Sequence, residues 1–355
     1  MSKDLFCLKA FDKHTIKNGI ENDSSTEESL VQLGKYLAPP FYENSAKQIL
    51  DASVRKDDVW LVSYLRTGST WCQEIIWLIV NDLDFKTAET RIQQIRAPLI
   101  DTTNYLIKHV DFVKCPKTGL SISRYSNFVP SLEVLSKLNE DDQDKLIQLF
   151  TDSLGYVDSL SSPRTIKSHL TFELLPEQLM SVKPKIIYVI RNPKDVCVSL
   201  YYFYKTFLTM EIDFEHFCKL FMNDALIAGS IFKHYLSFWN RRHESNILIL
   251  RYEDMKANTS NTIRQIAKFI GKTLSDDDIE AICKYLSFSN MQKNTACNFQ
   301  IGIDVLQCEG VYNDTGNHFV RKGIVGDHKN HMAPDLVEKF DKWIEDNTRG
   351  TDLKF

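Results

Sequence analysis

The sequence predicts an α/β fold: a single domain with a central parallel β-sheet flanked by helices, plus a helical insertion. Three observations lead there. Short, apolar, β-rich runs occur at Val59–Ser63, Thr165–Ser168, Lys185–Ile190 and 247–250. Helical patterns follow the first, third and fourth runs: Trp71 to Val80 after a turn with Gly68, a helix opened by Asn192-Pro193, and a stretch from about 259 to 270. Strands alternating with helices pack as a parallel sheet covered on both faces. The rhythm breaks at about 86–163, which holds Pro98, Pro116, Pro130 and Pro163 and the amphipathic stretch 141–160. This segment reads as a helical cap over the carboxyl ends of the strands, where α/β folds place ligands.

The remaining organisation is plain. Residues 1–40 are polar, with an acidic stretch at 21–28, and read as an N-terminal arm or short helices; residues 41–355 form the domain. No low-complexity linker or charge step divides it. The formal net charge of −4 excludes a chain that coats nucleic acid by bulk charge, so any polyanion site must be a local basic cluster. The eight cysteines, at 7, 72, 115, 197, 218, 283, 297 and 308, have no C-x-x-C spacing and read as reduced thiols of a cytoplasmic protein. The longest unbroken apolar run, Ile75 to Val80, is far short of the roughly 18 residues a membrane span needs. No export signal is visible at Met1-Ser2-Lys3-Asp4-Leu5-Phe6.

The sharpest chemical signal is the loop Ser63-Tyr64-Leu65-Arg66-Thr67-Gly68-Ser69-Thr70-Trp71. A strand that runs through a glycine turn into a helix N-terminus points backbone N–H groups at an anion. Arg66 adds charge; Thr67, Ser69 and Thr70 add hydroxyls. Taken alone, the loop reads equally as a helix cap beside a surface arginine. It is not the nucleotide-kinase loop. The only Gly-Lys-Thr, at Gly271-Lys272-Thr273, has Ile266 where that motif needs glycine, and reads as a helix end.

The loop resembles the phosphosulfate-binding loop of the cytosolic sulfotransferases, usually Y-P-K-[ST]-G-T-T-W. Three further segments match in order. Lys167-Ser168-His169-Leu170 resembles the catalytic segment. Tyr188-Val189-Ile190-Arg191-Asn192-Pro193-Lys194-Asp195-Val196-Cys197-Val198-Ser199 resembles the second signature nearly residue for residue. Arg321-Lys322-Gly323-Ile324-Val325-Gly326-Asp327 resembles the C-terminal one. Together they cover about 59–83 and 163–332. The family's P-loop-kinase-like fold and its co-substrate, 3′-phosphoadenosine 5′-phosphosulfate (PAPS), with PAP as product, are what this resemblance implies. It implies an acceptor that is a small hydrophobic molecule with a hydroxyl, and no metal, nucleic-acid or membrane partner.

Sulfuryl transfer asks a protein to align donor and acceptor, stabilise charge on the leaving oxygen and take the acceptor's proton. His169 is the candidate general base, since imidazole titrates near neutrality. Lys167, two residues earlier on an extended segment, faces the same side; the resemblance places it on the sulfuryl group or bridging oxygen. Arg66 stands at the family's lysine, which serves the leaving phosphate. Arg191 at a strand end and Ser199 on the next helix can clamp a 3′-phosphate, because a guanidinium engages phosphate bidentately. Arg321, Lys322 and Gly323 would form the other side of that clamp. Trp71 and Phe288 resemble the adenine-sandwiching aromatics, and Tyr252 is a further nucleotide-site candidate. His328-x-x-His331 is the nearest thing to a metal pair, but lacks a third ligand nearby.

The sequence also departs from the family pattern. Leu65 replaces proline and Arg66 lysine. His328 replaces the tryptophan of the C-terminal signature. The dimer motif K-x-x-x-T-V-x-x-x-E becomes Lys329, Ala333, Pro334 and Glu338, and proline removes an N–H that pairing would use, leaving monomer and homodimer both open. Arg66 and His169 lie 103 residues apart, an expansion that resembles the arthropod branch containing retinol dehydratase. A larger cap suits a bulky apolar acceptor, and Tyr201, Tyr202, Phe203, Tyr204 and Phe207 either line its pocket or pack as core. Three activities remain open: a stable sulfate ester, a dehydration through a sulfated intermediate, and PAP or PAPS binding with weak catalysis.

Overall fold

Four strands make the central sheet: β1 (Val59–Ser63), β2 (Thr165–Ser168), β3 (Lys185–Ile190) and β4 (Ile247–Arg251). They run parallel in the order β2-β1-β3-β4, with Leu61 of β1 registered between Lys167 and Ile187. The computed structural model describes residues 9–10, 31–33, 36–38, 42–105, 107–114, 121–127, 131–207, 212–226, 229–308 and 318–355.

Three helices flank the sheet next to the site: α1 (Ser69–Val80), α2 (Pro193–Phe207) and α3 (Thr259–Ile270). The central strands β1 and β3 bury both faces, which explains their continuous apolar runs, while the edge strand β4 is partly exposed. Trp60, Val62, Ile186, Tyr188 and Ile190 enter one core with Val196 and Leu200 of α2. Val59, Leu61, Ile187 and Val189 enter the other with Ile75, Ile76 and Ile79 of α1 and Ile263 and Ile266 of α3. This split follows the two-residue period of a strand. Gly271, left-handed at φ 89°, ends α3, so Gly271-Lys272-Thr273 is a helix cap and turn.

The segment expected to be a helical cap is not all helix. It holds helices at Phe85–Thr90, Glu140–Thr151 and Ser153–Ser159, among others, but also an antiparallel hairpin of Ile107–Lys114 with Ser121–Asn127. The hairpin has a physical basis. Its strands are rich in β-branched and alternating residues, and Pro116 and Gly119 lie between them. The stretch 141–160 is two helices because Asp152 closes the first and caps the second, its carboxylate accepting from the Gly155 N–H at 2.9 Å. Near the N-terminus, Lys9–Ala10, Val31–Leu33 and Tyr36–Ala38 pair as antiparallel strands rather than short helices.

The insertion has a small core of its own, including Ile92, Ile95, Leu146, Leu149 and Tyr156. Its residues 93–100 are tied to the sheet. The Lys167 N–H donates to the Pro98 carbonyl at 2.8 Å, and the Ile100 N–H to the Lys167 carbonyl at 3.0 Å. Arg96 pairs with Glu74 of α1 at 2.6 Å, both side chains fully or nearly fully buried. Gln93 joins them, donating to Glu74 at 2.7 Å and to the Thr70 carbonyl at 3.0 Å. The insertion therefore lies against the ends of β1 and β2 that carry the matched segments.

Candidate active site

The loop after β1 folds tightly. Thr67 is fully buried, and its hydroxyl donates to the Tyr64 carbonyl at 2.9 Å. Arg66 and Gly68 take positive φ, 64° and 99°. Glycine is needed at 68 on two counts: the left-handed backbone, and a Tyr252 ring carbon 2.4 Å from where a Cβ would sit. Ser69 and Thr70 open α1, which has no side-chain cap and no acidic residue in its first turn. Its first N–H groups are thus left to an external acceptor, the ordinary basis of an anion site.

His169 follows β2 and is 7% exposed. Its Nδ1 lies 2.8 Å from the Ser63 carbonyl at the end of β1. A carbonyl only accepts, so Nδ1 carries the proton and Nε2 keeps its lone pair. Burial holds the imidazole well below its usual pKa, and the nearby Lys167 charge lowers it further. The ring is therefore a neutral base at pH 7. Lys167 is itself lowered to about 8, first by burial and then by Arg66, with Asp101 opposing. His234 holds the His169 backbone. Its Nε2–H donates to the His169 carbonyl at 3.0 Å, and its Nδ1 accepts from the Tyr188 hydroxyl at 2.6 Å.

A second group of cations gathers around α2. Arg191 donates to the carbonyls of Arg66 at 3.2 Å and Ile324 at 3.1 Å, and its guanidinium lies 4.4 Å over the Tyr252 ring. Arg66 Nε donates to the Ser199 hydroxyl at 3.2 Å, and its NH2 to the Phe319 carbonyl at 2.9 Å. Arg321 pairs with Asp327 at 2.5 Å and lies 4.7 Å over Tyr202; Lys322 pairs with the same carboxylate at 2.9 Å. Buried Asp195 of α2 holds the C-terminal loop, accepting from the N–H groups of Gly326 at 2.7 Å and His328 at 3.0 Å and from His328 Nδ1 at 2.7 Å. His328 is thus engaged with Asp195, whereas His331 Nε2 lies 3.4 Å from Asp327 without a hydrogen bond among the described residues.

The aromatics expected at the nucleotide form two separate contacts. Trp71 meets Tyr252 edge-on at 6.2 Å. Phe288 packs on Gly323, where a Cβ would come within 2.7 Å of its ring and φ is 63°. The aromatic face of α2 is divided. Tyr204 is core against Phe217, whereas Tyr202 and Phe203 face Arg321 and Arg66; the Phe207 side chain lies outside the described residues. Tyr202 and Phe203 also pack against the core and line a small cavity with Arg66 and Arg321.

The sequence reading missed Ser63, Tyr188, Asp195, His234 and Asp327 as parts of the site. All but His234 lie inside the matched segments, Ser63 in the loop after β1, Tyr188 and Asp195 within 188–199 and Asp327 within 321–327. The cation group fits a polyanion. The Nε atoms of Arg191 and Arg321 are buried with no hydrogen-bond partner among the described residues. Among the described residues, no group of three metal-ligating side chains occurs and no helix is long and apolar enough to cross a membrane.

Comparison with known proteins gives the family. The family model "Sulfotransferase domain" matches residues 56–352. Luciferin sulfotransferase of Photinus pyralis is 34% identical over 312 residues, covering 87% of this chain and 76% of that protein. Sulfotransferase 1E1 of Bos taurus is 32% identical, covering 91% of this chain and 95% of the relative. Retinol dehydratase, solved in complex with androsterone and inactive cofactor PAP, superposes with a TM-score of 0.80 at 26% identity, covering 98% of this chain and 97% of that one. The chain belongs to the sulfotransferase family, and its chemistry is sulfuryl transfer.

Proposed function

We propose that the protein transfers a sulfuryl group from PAPS to the hydroxyl of a small hydrophobic acceptor, with His169 as general base. The observation that carries the reading is the His169 tautomer: Nδ1 is committed to the Ser63 carbonyl, so Nε2 is the only ring atom able to take a proton. PAPS supplies the sulfuryl group: the acceptor O–S bond forms as the S–O bond to the 5′-phosphate breaks and the hydroxyl proton passes to Nε2, leaving PAP. Lys167 stabilises charge on the leaving oxygen, and the N–H groups of Ser69 and Thr70 hold the 5′-phosphate at the start of α1. Arg191, Ser199, Arg321 and Lys322 take the 3′-phosphate. Trp71, Tyr252 and Phe288 pack the base, with Gly323 admitting Phe288 close to the backbone. The location we propose is cytoplasmic.

A second reading is favoured by the 0.80 TM-score to retinol dehydratase: an alcohol is sulfated and the ester then eliminated. One experiment separates the two. Phenols, sterols, retinoids and catecholamines are incubated with PAPS and the enzyme, and products are read by mass. A product heavier by one SO₃ supports transfer; one lighter by one water supports elimination. PAP release with neither product, or no PAPS-dependent product across the panel, contradicts the proposal.

A further inference from the structure

The donor has two anionic ends, and the site has two cationic groups. Lys167 beside His169 marks the reacting end. The second group lies around Ser199 on α2 and suits the phosphate that does not react; Arg66 is near enough to both groups for its charge to lower Lys167 and His169. Arg66 sits in the loop of the first group, yet its side chain reaches the second. Nε bonds the Ser199 hydroxyl at 3.2 Å and NH2 the Phe319 carbonyl at 2.9 Å. The guanidinium is packed by Phe319 at 4.6 Å and Phe203 at 5.4 Å from the ring centroids. Its backbone carbonyl accepts from Arg191, and its side chain lines a small cavity with Ser199 and Arg321.

Charge points the same way. Arg191 and Arg321 have carboxylates, Asp195 at 3.9 Å and Asp327 at 2.5 Å. Among the described residues no carboxylate pairs with Arg66. Burial and the charges of Arg191 and Arg321 lower it to about 9. A half-buried guanidinium with no carboxylate partner among the described residues, beside two others whose Nε atoms also lack partners, is arranged for a dianion. The fork also explains the residue type. Arg66 engages Ser199 and a carbonyl at once while stacked on aromatic faces, which an ammonium cannot reproduce.

We infer that Arg66 is a ligand of the donor's 3′-phosphate, acting with Ser199, Arg191 and Arg321, and that charge on the leaving oxygen is left to Lys167 and the start of α1. This rests on the PAPS reading above and reassigns Arg66 from the role its position in the loop implies.

The test is calorimetric and needs no turnover. PAP and adenosine 5′-monophosphate, which lacks the 3′-phosphate, are titrated into wild type, Arg66→Met and Arg66→Lys. Loss of a charged hydrogen-bond partner predicts PAP binding weaker by roughly 10-fold to 100-fold in Arg66→Met, with the monophosphate changed less than about 3-fold. Arg66→Lys should lie between. The monophosphate also controls for folding, because a distorted loop would weaken both ligands. Equal losses would place Arg66 at the 5′ end, and no loss would remove it from the nucleotide site; either overturns the inference. In Ser199→Ala, which leaves loop 63–71 intact, the PAP-to-monophosphate ratio should fall in the same direction; an unchanged ratio also counts against it. If wild type binds the monophosphate and PAP equally, the PAPS reading itself fails.

Discussion

Replacing Gly68 by alanine tests the architecture of the loop. At φ 99° an alanine pays a left-handed backbone penalty of about 1 kcal/mol. The new Cβ would lie 2.4 and 2.7 Å from two Tyr252 ring carbons. That ring has little room to yield. It is 5% exposed, meets Trp71 edge-on and lies under the Arg191 guanidinium. Overpacking of this kind costs about 1–3 kcal/mol, so the total is on the order of 2–4 kcal/mol. The expected result is a melting temperature lower by several degrees in Gly68→Ala and PAP binding weaker by at least 10-fold, since Tyr252 and Arg191 shift together. Thermal unfolding and calorimetric titration read the two effects. Adding Tyr252→Ala removes the clash, so the double variant should be more stable than the sum of the single losses. A Gly68→Ala protein with wild-type melting and wild-type PAP affinity would refute the reasoning.

Further outcomes follow from the charges. Lys167 lies near 8, so in the free enzyme its charge is lost as pH rises through that value; kcat/KM should fall about 10-fold between pH 7 and pH 9. Binding an anionic donor raises that value, so the alkaline limb of kcat should sit at higher pH, and coincident limbs would contradict the assignment. Asp195→Asn introduces an amide donor where three donors converge, and should weaken PAP binding about 10-fold by loosening residues 321–328; titration checks this. Burial alone would raise the Asp195 carboxyl, yet the His328 and Gly326 donors hold it below its usual pKa. Its contribution to stability is therefore present above about pH 4 and is lost as pH falls through the lower folded value. Unfolding of wild type and Asp195→Asn should then converge at low pH; a constant difference would contradict the linkage.

The strands were legible because buried parallel strands are short, continuous and apolar: Val59–Ser63, Thr165–Ser168 and Lys185–Ile190 appear with the predicted bounds. The loop, α1 and the order of the signature segments were legible for the same local reasons. The hairpin at 107–127 was not, because four prolines and an amphipathic stretch drew the whole insertion toward a helical reading. The supports of the site were also hidden. Asp195, Tyr188 and His234 act through residues far off in the chain, and spacing within a segment says nothing of a partner 46 to 133 positions away. The side chain of Arg66 shows a further limit. Its loop position suggested the leaving phosphate, whereas its torsions and aromatic neighbours direct it to Ser199.

The most direct test of the central claim is single-turnover transfer from PAPS to an acceptor accepted by the wild type, measured for wild type and His169→Gln, with PAP binding measured on both. Loss of the general base predicts a transfer rate lower by roughly 10²–10⁴ with PAP affinity unchanged within about 3-fold. A folded His169→Gln enzyme that transfers sulfate at the wild-type rate would contradict the account.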